Sequence, residues 1–162
     1  MTRMTKFTLK IEGIAAKSRL FYRIAERYYR NAIHREIEIA SITSVDRILC
    51  IGGGICPFSA ILFHQITGAS VTVVDNNSAC IFRARKVIER LGLSEHISLQ
   101  YRDGADVNVS GYTVIHLAKQ VSPASRVFSE VKRRATDGTK LLVRTPNKRI
   151  GCTQLYIKGG AA

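Results

Sequence analysis

Short apolar runs alternate along this chain with longer segments in which apolar residues recur every three or four positions. The runs predict buried strands, and the periodic segments predict helices. The predicted strands span residues 47–51, 71–75, 97–101, 112–117, 140–145 and 154–158. The predicted helices span residues 18–42, 58–67, 78–91 and 122–134. This alternation favours an α/β fold, with a mostly parallel sheet of about six strands and helices on both faces.

Residues with special backbone preferences mark the ends of these elements. Ser18 is suited to cap the first helix, while Gly68 and Gly92 are suited to end the second and third. The sixth strand is expected to be antiparallel and to lie at or near an edge of the sheet. Because no repeat or linker interrupts the pattern, we expect a single domain of 162 residues, with a helical lead-in over 1–45 and a core over 46–158.

Glycines and an acid follow the first two predicted strands. Gly52, Gly53 and Gly54 come directly after the first strand, and Asp75 and Asn76 end the second. Glycines let a ligand approach the backbone because no Cβ occupies the space. An acid at the tip of the next strand can accept two hydrogen bonds from a ribose diol. The pattern predicts a nucleotide site, although a tight turn with a helix-capping acid would look similar.

The details of the turn distinguish between nucleotides. A dinucleotide fingerprint has a further glycine, whereas Pro57 here removes a backbone donor where a pyrophosphate would bind, so NAD and FAD are disfavoured. S-adenosylmethionine (SAM) has no phosphate and needs an additional polar group near its adenine. Asp103 is suited to accept from the adenine amino group, with Gly104 and Ala105 leaving room for the ring. The alternative is an Asp-Gly turn.

Composition narrows the class of protein. No apolar run approaches the roughly 20 residues of a membrane-spanning helix, and the start lacks the apolar core of a signal peptide, so we expect a cytoplasmic protein. Four cysteines without C-x-x-C spacing indicate free thiols and no metal site. The net charge of +13 suggests an anionic partner, but the basic residues are dispersed, which supports nucleic acid only weakly.

Several segments together resemble one known family, the nicotianamine synthase-like branch of the class I SAM-dependent methyltransferases. The turn I-G-G-G-I-C-P at 51–57 is similar to the I-G-G-G-P-L-P turn of that branch. Common methyltransferases have an acid at the position of Cys50 and a third glycine at that of Cys56. Further similarities are Y-Y-R-N at 28–31, L-V-R-T at 142–145, Gly151 and L-Y at 155–156.

The resemblance implies a Rossmann-like class I methyltransferase fold, SAM as cofactor, and transferase activity. Nicotianamine synthases transfer the 3-amino-3-carboxypropyl group of SAM to an amine and release methylthioadenosine. Full-length synthases have an N-terminal helical domain that supplies a catalytic glutamate, whereas about 40 residues precede the first strand here. Ala32 stands where the family motif has a tyrosine.

Catalysis of such a displacement needs a positioned nucleophile, and a base if the nucleophile is protonated. Tyr28, Tyr29 and His116 are the candidate catalytic residues. The two tyrosines are placed to shape the acceptor site, and His116 lies in the fourth strand, close to where the catalytic edge of this fold begins. All three have an alternative role in packing. Glu36 and Glu38 are acids on the first helix, for which we expect a solvated surface rather than a role as base.

Two basic residues are candidates for binding the acceptor. Lys119 follows the fourth strand at the mouth of the expected cleft, and Arg144 ends the fifth. An arginine can bind a carboxylate in bidentate fashion. The alternative for Arg144 is an ion pair with Asp75, Asp103 or a helix terminus.

These observations predict an enzyme that transfers a methyl or aminocarboxypropyl group from SAM to a small, anionic acceptor. Two alternatives remain open from the sequence. One is a non-catalytic module or subunit that binds SAM or an anion and needs a partner. The other is an RNA methyltransferase, which the net charge suggests. A homodimer would cover an open edge of the sheet.

Overall fold

A computed structural model describes residues 19–145 and 153–159, so Ser18, Gly151 and Cys152 lie outside the described residues. The helices are α1 (Arg19–Ala40), α2 (Phe58–Thr67), α3 (Ser78–Arg90) and α4 (Ala124–Arg134). The strands are β1 (Arg47–Ile51), β2 (Ser70–Asp75), β3 (Ile97–Tyr101), β4 (Val114–Leu117), β5 (Lys140–Arg144) and β6 (Thr153–Ile157).

The strands form one sheet in the order β3-β2-β1-β4-β5-β6. All neighbouring pairs are parallel except β5 and β6, which are antiparallel. The predicted α/β architecture and the antiparallel edge strand are therefore confirmed. The chain order reverses between β1 and β4, and ligands of open α/β sheets bind at such a switch point, beyond the carboxyl ends of the strands.

Each face of the sheet carries its own apolar core. Residues of α1, α2 and α3 pack on one face, against Ile48 and Cys50 of β1. Residues of α4 and of the loop after β3 pack on the other face, against Leu49 and Ile51. This alternation along β1 is the period-two pattern of a strand that is buried on both sides. Among the described helices, none has the length and apolar character needed to cross a membrane.

Several element ends differ from the sequence prediction by one or two residues, and two of the larger differences have a clear cause. Helix α1 ends at Ala40 rather than at residue 42, because Ser41 has a positive φ of 47° and starts a turn. Strand β4 begins at Val114 rather than at residue 112, because Tyr112 belongs to a turn in which its N–H donates to the carbonyl of Val109. Both differences come from local turns that a window of apolar residues does not show.

Asp46 joins the two central strands at the end of the sheet opposite the switch point. Its Oδ2 accepts from the backbone N–H of Thr43 at 2.8 Å, and its Oδ1 accepts from Oγ1 of Thr113, just before β4, at 2.7 Å. Burial raises the pKa of Asp46, but these hydrogen bonds outweigh it, so the net pKa is lowered from its usual value. Asp46 therefore stabilises the junction of β1 and β4 in its charged form.

The three described cysteines, Cys50, Cys56 and Cys80, are buried and form no disulfide with one another. Burial raises the pKa of the Cys50 thiol far above its usual value. Because the thiolate is the reactive form of cysteine, Cys50 is a packing residue and not a nucleophile.

Candidate functional site

The glycine turn after β1 lies at the switch point and is fixed by three hydrogen bonds. The N–H of Gly52 donates to the carbonyl of Val74 at 2.8 Å, which joins the turn to β2. The carbonyl of Gly52 accepts from Nε2 of Gln120 at 2.8 Å, in the loop after β4. The N–H of Gly54 donates to Oδ2 of Asp75 at 2.9 Å. The turn is therefore held from both neighbouring strands.

Close packing explains why this turn needs glycine. Gly52 has a φ of 87°, and a Cβ there would lie 2.7 Å from Cγ2 of Val121. A Cβ on Gly53 would lie 2.2 Å from Cγ1 of Val73. Real Cβ atoms essentially never show such distances, so neither position accepts a side chain without movement. The turn lies as close to the sheet as its backbone allows.

Asp75 and Asn76 lie at the tip of β2, where the sequence places a ribose site. Each carboxylate oxygen of Asp75 accepts one backbone N–H, from Gly54 to Oδ2 and from Asn77 to Oδ1 at 2.9 Å. An ionised carboxylate offers about four acceptor positions, so two remain. Asn76 is exposed beside it, and the next residue, Asn77, caps α3 by accepting from the N–H of Ala79. Asp75 thus organises the turn and keeps capacity to accept from a ligand.

Asp103, Gly104 and Ala105 form a turn after β3. Oδ1 of Asp103 accepts from the N–H of Ala105 at 2.8 Å, and its side chain is 40% exposed. Ala105 is buried, and a Cβ on Gly104 would lie 2.4 Å from Cγ2 of Ile51. Asp103 therefore faces solvent, while the two small residues let the loop lie against β1.

A small cavity lies between α1, the glycine turn and β4. Its volume is about 30 Å³, which is enough space to hold a water molecule. Its polar lining side chains include Tyr29, Cys50, Ser59, His116, Gln120 and Arg144. Three residues that the sequence proposes for separate roles, Tyr29, His116 and Arg144, therefore share one wall of the site.

A buried ion pair lies beside this cavity. Arg144 donates to Glu36 in bidentate fashion, from Nε to Oε1 at 2.7 Å and from Nη2 to Oε2 at 2.8 Å. Glu36 Oε1 also accepts from Oγ1 of Thr153 at 2.6 Å, and Arg144 Nη1 donates to Oγ of Ser59 at 2.9 Å. The Glu36 side chain is 1% exposed and that of Arg144 is 13% exposed. The pair joins α1, α2, β5 and β6.

This pair corrects two expectations. Glu36 does not lie on a solvated surface, although Glu38 does. Arg144 pairs with Glu36 rather than with Asp75, Asp103 or a helix terminus. The signal for Glu36 is present in the sequence, since it lies three residues after Ile33 and four before Ala40, on the buried stripe of α1.

The charge state of this cluster follows from burial and from Arg144. Burial raises the pKa of Glu36, whereas its contacts with His116 and Arg144 lower it, and the net pKa is well below the ordinary value. Burial and the positive charge of Arg144 both lower the pKa of His116, although Glu36 opposes this. His116 is therefore neutral at pH 7, and Arg144 is the cation that keeps Glu36 ionised.

His116 is buried without a hydrogen-bond partner. Its side chain is 1% exposed, and neither Nδ1 nor Nε2 makes a hydrogen bond with any described residue. The nearest acceptor is Oε2 of Glu36, 3.6 Å from Nε2, and the ring of Phe63 packs edge-on at 5.5 Å. Buried polar atoms almost always have partners, so an unpartnered pair of nitrogens lining a cavity marks a place for a ligand or water.

The remaining candidates lie at different depths. The Tyr29 ring stacks on Phe58 at 5.4 Å and lies 5.9 Å from the guanidinium of Arg144, at the cavity wall. The side chain of Tyr28 lies outside the described part of α1. Lys119 is exposed in the loop that carries Gln120.

Within residues 19–145 and 153–159, no three His, Cys, Asp or Glu side chains come together as metal ligands would.

Comparison with solved structures assigns the fold. A mutant of the nicotianamine synthase MtNAS, solved in complex with S-adenosylmethionine, superposes with a TM-score of 0.77 at 22% identity. The superposition covers 86% of this chain and 57% of that one. An RNA methyltransferase from Salinibacter ruber gives a TM-score of 0.66 at 18% identity, over 80% and 92% of the two chains. The chain has the class I methyltransferase fold. The predicted resemblance to nicotianamine synthase is confirmed at this level.

Sequence comparison gives a further relative. This chain is 24% identical over 121 residues to the L-histidine 2-aminobutanoyltransferase of Yersinia pestis. The alignment covers 74% of this chain and 44% of the relative. No family model matches the chain. The chain thus spans about half the length of the Yersinia pestis relative and of the MtNAS structures.

Proposed function

We propose that this chain binds SAM at the switch point and transfers a carbon group from it to a small acceptor. The observation that carries the proposal is the hydrogen bond between Gly54 and Asp75. It places the glycine turn beside a carboxylate that can still accept hydrogen bonds from a ligand. This is the pairing that an adenosyl ligand needs, and it lies where α/β sheets bind nucleotides. The likeness in fold to an MtNAS structure that contains SAM supports it.

The residues of the site divide among the parts of the donor. The proposed contacts are Gly52, Gly53 and Gly54 with the methionine part, and Asp75 with Asn76 on the ribose. Asp103 would accept from the adenine amino group, since its carboxylate is partly exposed. Gly104 and Ala105 would contribute by letting that loop lie close to the sheet.

Catalysis would depend mainly on positioning. Bound SAM supplies a carbon that is activated by its sulfonium, and a nucleophile displaces the sulfur from it. The chain's contribution is to orient the donor against the turn, to exclude water under α1, and to bring an acceptor in line. Tyr29, His116 and Arg144 line the cavity and are the proposed acceptor-side residues, together with Lys119 at the rim. Tyr28 is a further candidate on α1.

We infer aminocarboxypropyl transfer as the first reaction to test and methyl transfer as the second. The Yersinia pestis relative is an L-histidine 2-aminobutanoyltransferase, and one solved MtNAS structure contains MTA. L-histidine is accordingly the first acceptor to try. The anionic character of the acceptor remains a proposal that rests on the net charge of +13.

The test is calorimetric titration of SAM, followed by mass spectrometry of the adenosyl product after incubation with L-histidine. Asp75→Asn keeps one acceptor oxygen but removes the charge, so we expect the Kd for SAM to rise at least about tenfold. Glu95→Gln removes an exposed acid before β3 and is the matched control, with no change expected.

The outcomes separate the possible activities. Methylthioadenosine as product would identify aminocarboxypropyl transfer, and S-adenosylhomocysteine would identify methyl transfer. SAM binding without either product, over a panel of amines, would favour a binding module. Failure of the wild type to bind SAM would refute the proposal.

A further inference from the structure

We propose that His116 is the proton acceptor of this site, taking the proton of an acceptor N–H or O–H on Nδ1 while Nε2–H points toward Glu36. This assignment rests on the proposed transferase function. It gives His116 a specific chemical role and a specific tautomer. It also gives Glu36 a positioning role, that of setting the tautomer of the His116 ring.

The tautomer follows from the groups around the ring. A neutral imidazole has one N–H donor and one lone pair. The carboxylate of Glu36 can only accept, and its Oε2 lies 3.6 Å from Nε2. That distance is too long for a hydrogen bond, but the negative charge still favours a proton on Nε2. The lone pair therefore lies on Nδ1, which has no partner among the described residues.

Other groups in the cluster are less suited to accept a proton. Glu36 already accepts from Nε and Nη2 of Arg144 and from Oγ1 of Thr153, so its charged form is strongly stabilised. Oγ of Ser59 accepts from Arg144, and the Cys50 thiol is buried. Among the described residues, the buried side-chain nitrogens without a hydrogen bond are those of His116.

The charges around His116 define what it can hold. Glu36 from α1 and Arg144 from β5 face the ring and neutralise each other, while Cys50 from β1 is uncharged. Protonation of Nδ1 would thus give the cluster a net charge of one positive unit, and the carboxylate of Glu36 would stabilise the protonated ring. The acceptor should therefore arrive uncharged, because a cationic acceptor together with the protonated ring would place two further positive charges beside Arg144. The cavity suits an uncharged amine, a ring N–H or a hydroxyl.

The step is balanced in atoms and electrons. The nucleophile's nitrogen or oxygen forms a bond to the carbon on sulfur, and the carbon–sulfur bond breaks with its electron pair remaining on sulfur. The nucleophile then carries an extra positive charge and loses its proton to Nδ1 of His116. Solvent regenerates the neutral ring when the products leave.

The first test needs no activity. Two-bond ¹⁵N–¹H correlation spectra of the imidazoles distinguish the two neutral tautomers, and His116→Gln identifies the signals of His116. We expect the Nε2–H form in the wild type. In Glu36→Gln, the carboxylate that favours this form is gone, so the population of the Nδ1–H form should increase. An Nδ1–H ring in the wild type would overturn the proposal.

The second test uses SAM turnover with L-histidine as the probe. In His116→Gln we expect kcat to fall about 10²- to 10⁴-fold and the acidic limb of its pH profile to disappear, while the Kd for SAM changes less than threefold. His96→Gln, an exposed histidine before β3, is the matched control and should keep the wild-type profile. His116→Gln with an unchanged profile would overturn the role. Absence of SAM binding by the wild type would instead overturn the transferase function on which it depends.

Discussion

The two sides of the candidate site are built in opposite ways. The glycine side, formed by Gly52–Gly54 and Asp75, consists of backbone groups, tight van der Waals contacts and one carboxylate. The charged side consists of the buried side chains of Glu36 and His116 and the partly buried side chain of Arg144. The glycine side specifies a position for a ligand by shape. The charged side specifies a protonation state.

The two sides should therefore respond differently to substitution. A tightly packed contact is destabilised by an added atom, because neighbouring groups must move, but its substitution leaves no unpaired charge. A buried ion pair is costly when one partner is lost, because the other charge remains without compensation in a poorly solvated place. Substitutions in the ion pair should therefore cost more stability than substitutions in the glycine turn.

The largest loss of stability is expected from Arg144→Met. The substitution leaves Glu36 buried beside no cation, so we expect the free energy of unfolding to fall by about 3–5 kcal/mol. Urea denaturation would measure it. Arg133→Met is the matched control, because Arg133 pairs with Glu130 at the same 2.7 Å but is 67% exposed. A surface pair contributes little, so its midpoint should not move, and equal effects of the two substitutions would contradict the comparison.

On the glycine side, Gly53→Ala should lower the free energy of unfolding by about 1–3 kcal/mol, because the new Cβ would lie 2.2 Å from Cγ1 of Val73. Urea denaturation of Gly53→Ala, Val73→Ala and the double variant would form a double-mutant cycle. If crowding is the cause, the double variant loses less stability than the sum of the singles. Strict additivity would show that the glycine is needed for some other reason.

At the opposite end of the sheet, Asp46→Asn should cost about 1–2 kcal/mol at pH 7 through its weakened hydrogen bonds. Because the folded-state pKa of Asp46 is lowered, its stabilisation is present above the unfolded value near 3.9 and is lost as the pH falls through the folded pKa. Urea midpoints between pH 7 and pH 3 should therefore converge for wild type and variant. Curves that stay parallel would refute this, and Glu95→Gln should track the wild type.

The smallest effect is expected from Lys119→Ala. Lys119 is exposed, so the free energy of unfolding measured in urea should stay within about 0.5 kcal/mol of the wild-type value. If the acceptor is anionic, its KM should rise roughly two- to fivefold with kcat unchanged, as for the loss of one exposed charge contact. Arg85→Ala, an exposed cation on α3, controls for net charge. Equal increases in KM would point to long-range attraction instead of contact.

The sequence predicts the glycine side well and the charged side poorly, for a physical reason. The turn, Asp75 and the strands β1 and β2 form a continuous stretch whose pattern is visible in a short window. Glu36 and Arg144 lie 108 residues apart, and no local pattern shows that they meet. The packing of Gly104 against Ile51 is also a contact between distant segments.

Element ends show the same limit at a smaller scale. The sequence predicts strand β5 to within one residue because its apolar run is bounded by charged residues. It predicts an end of helix α1 that is two residues too late, because the turn at Ser41 depends on backbone geometry rather than on hydrophobicity. Patterns of apolar residues therefore determine which elements exist, while turns and long-range pairs determine where they stop and what they touch.

The bond between Glu36 and Arg144 also orders events during synthesis of the chain. Glu36 leaves the ribosome 108 residues ahead of its partner, an interval of roughly 5 to 20 seconds at ordinary rates of translation. During that interval β1, β2 and β3 are complete, but the acid on α1 has no cation to meet. The helix that covers the cavity can thus dock with its charge compensated only once β5 has been made.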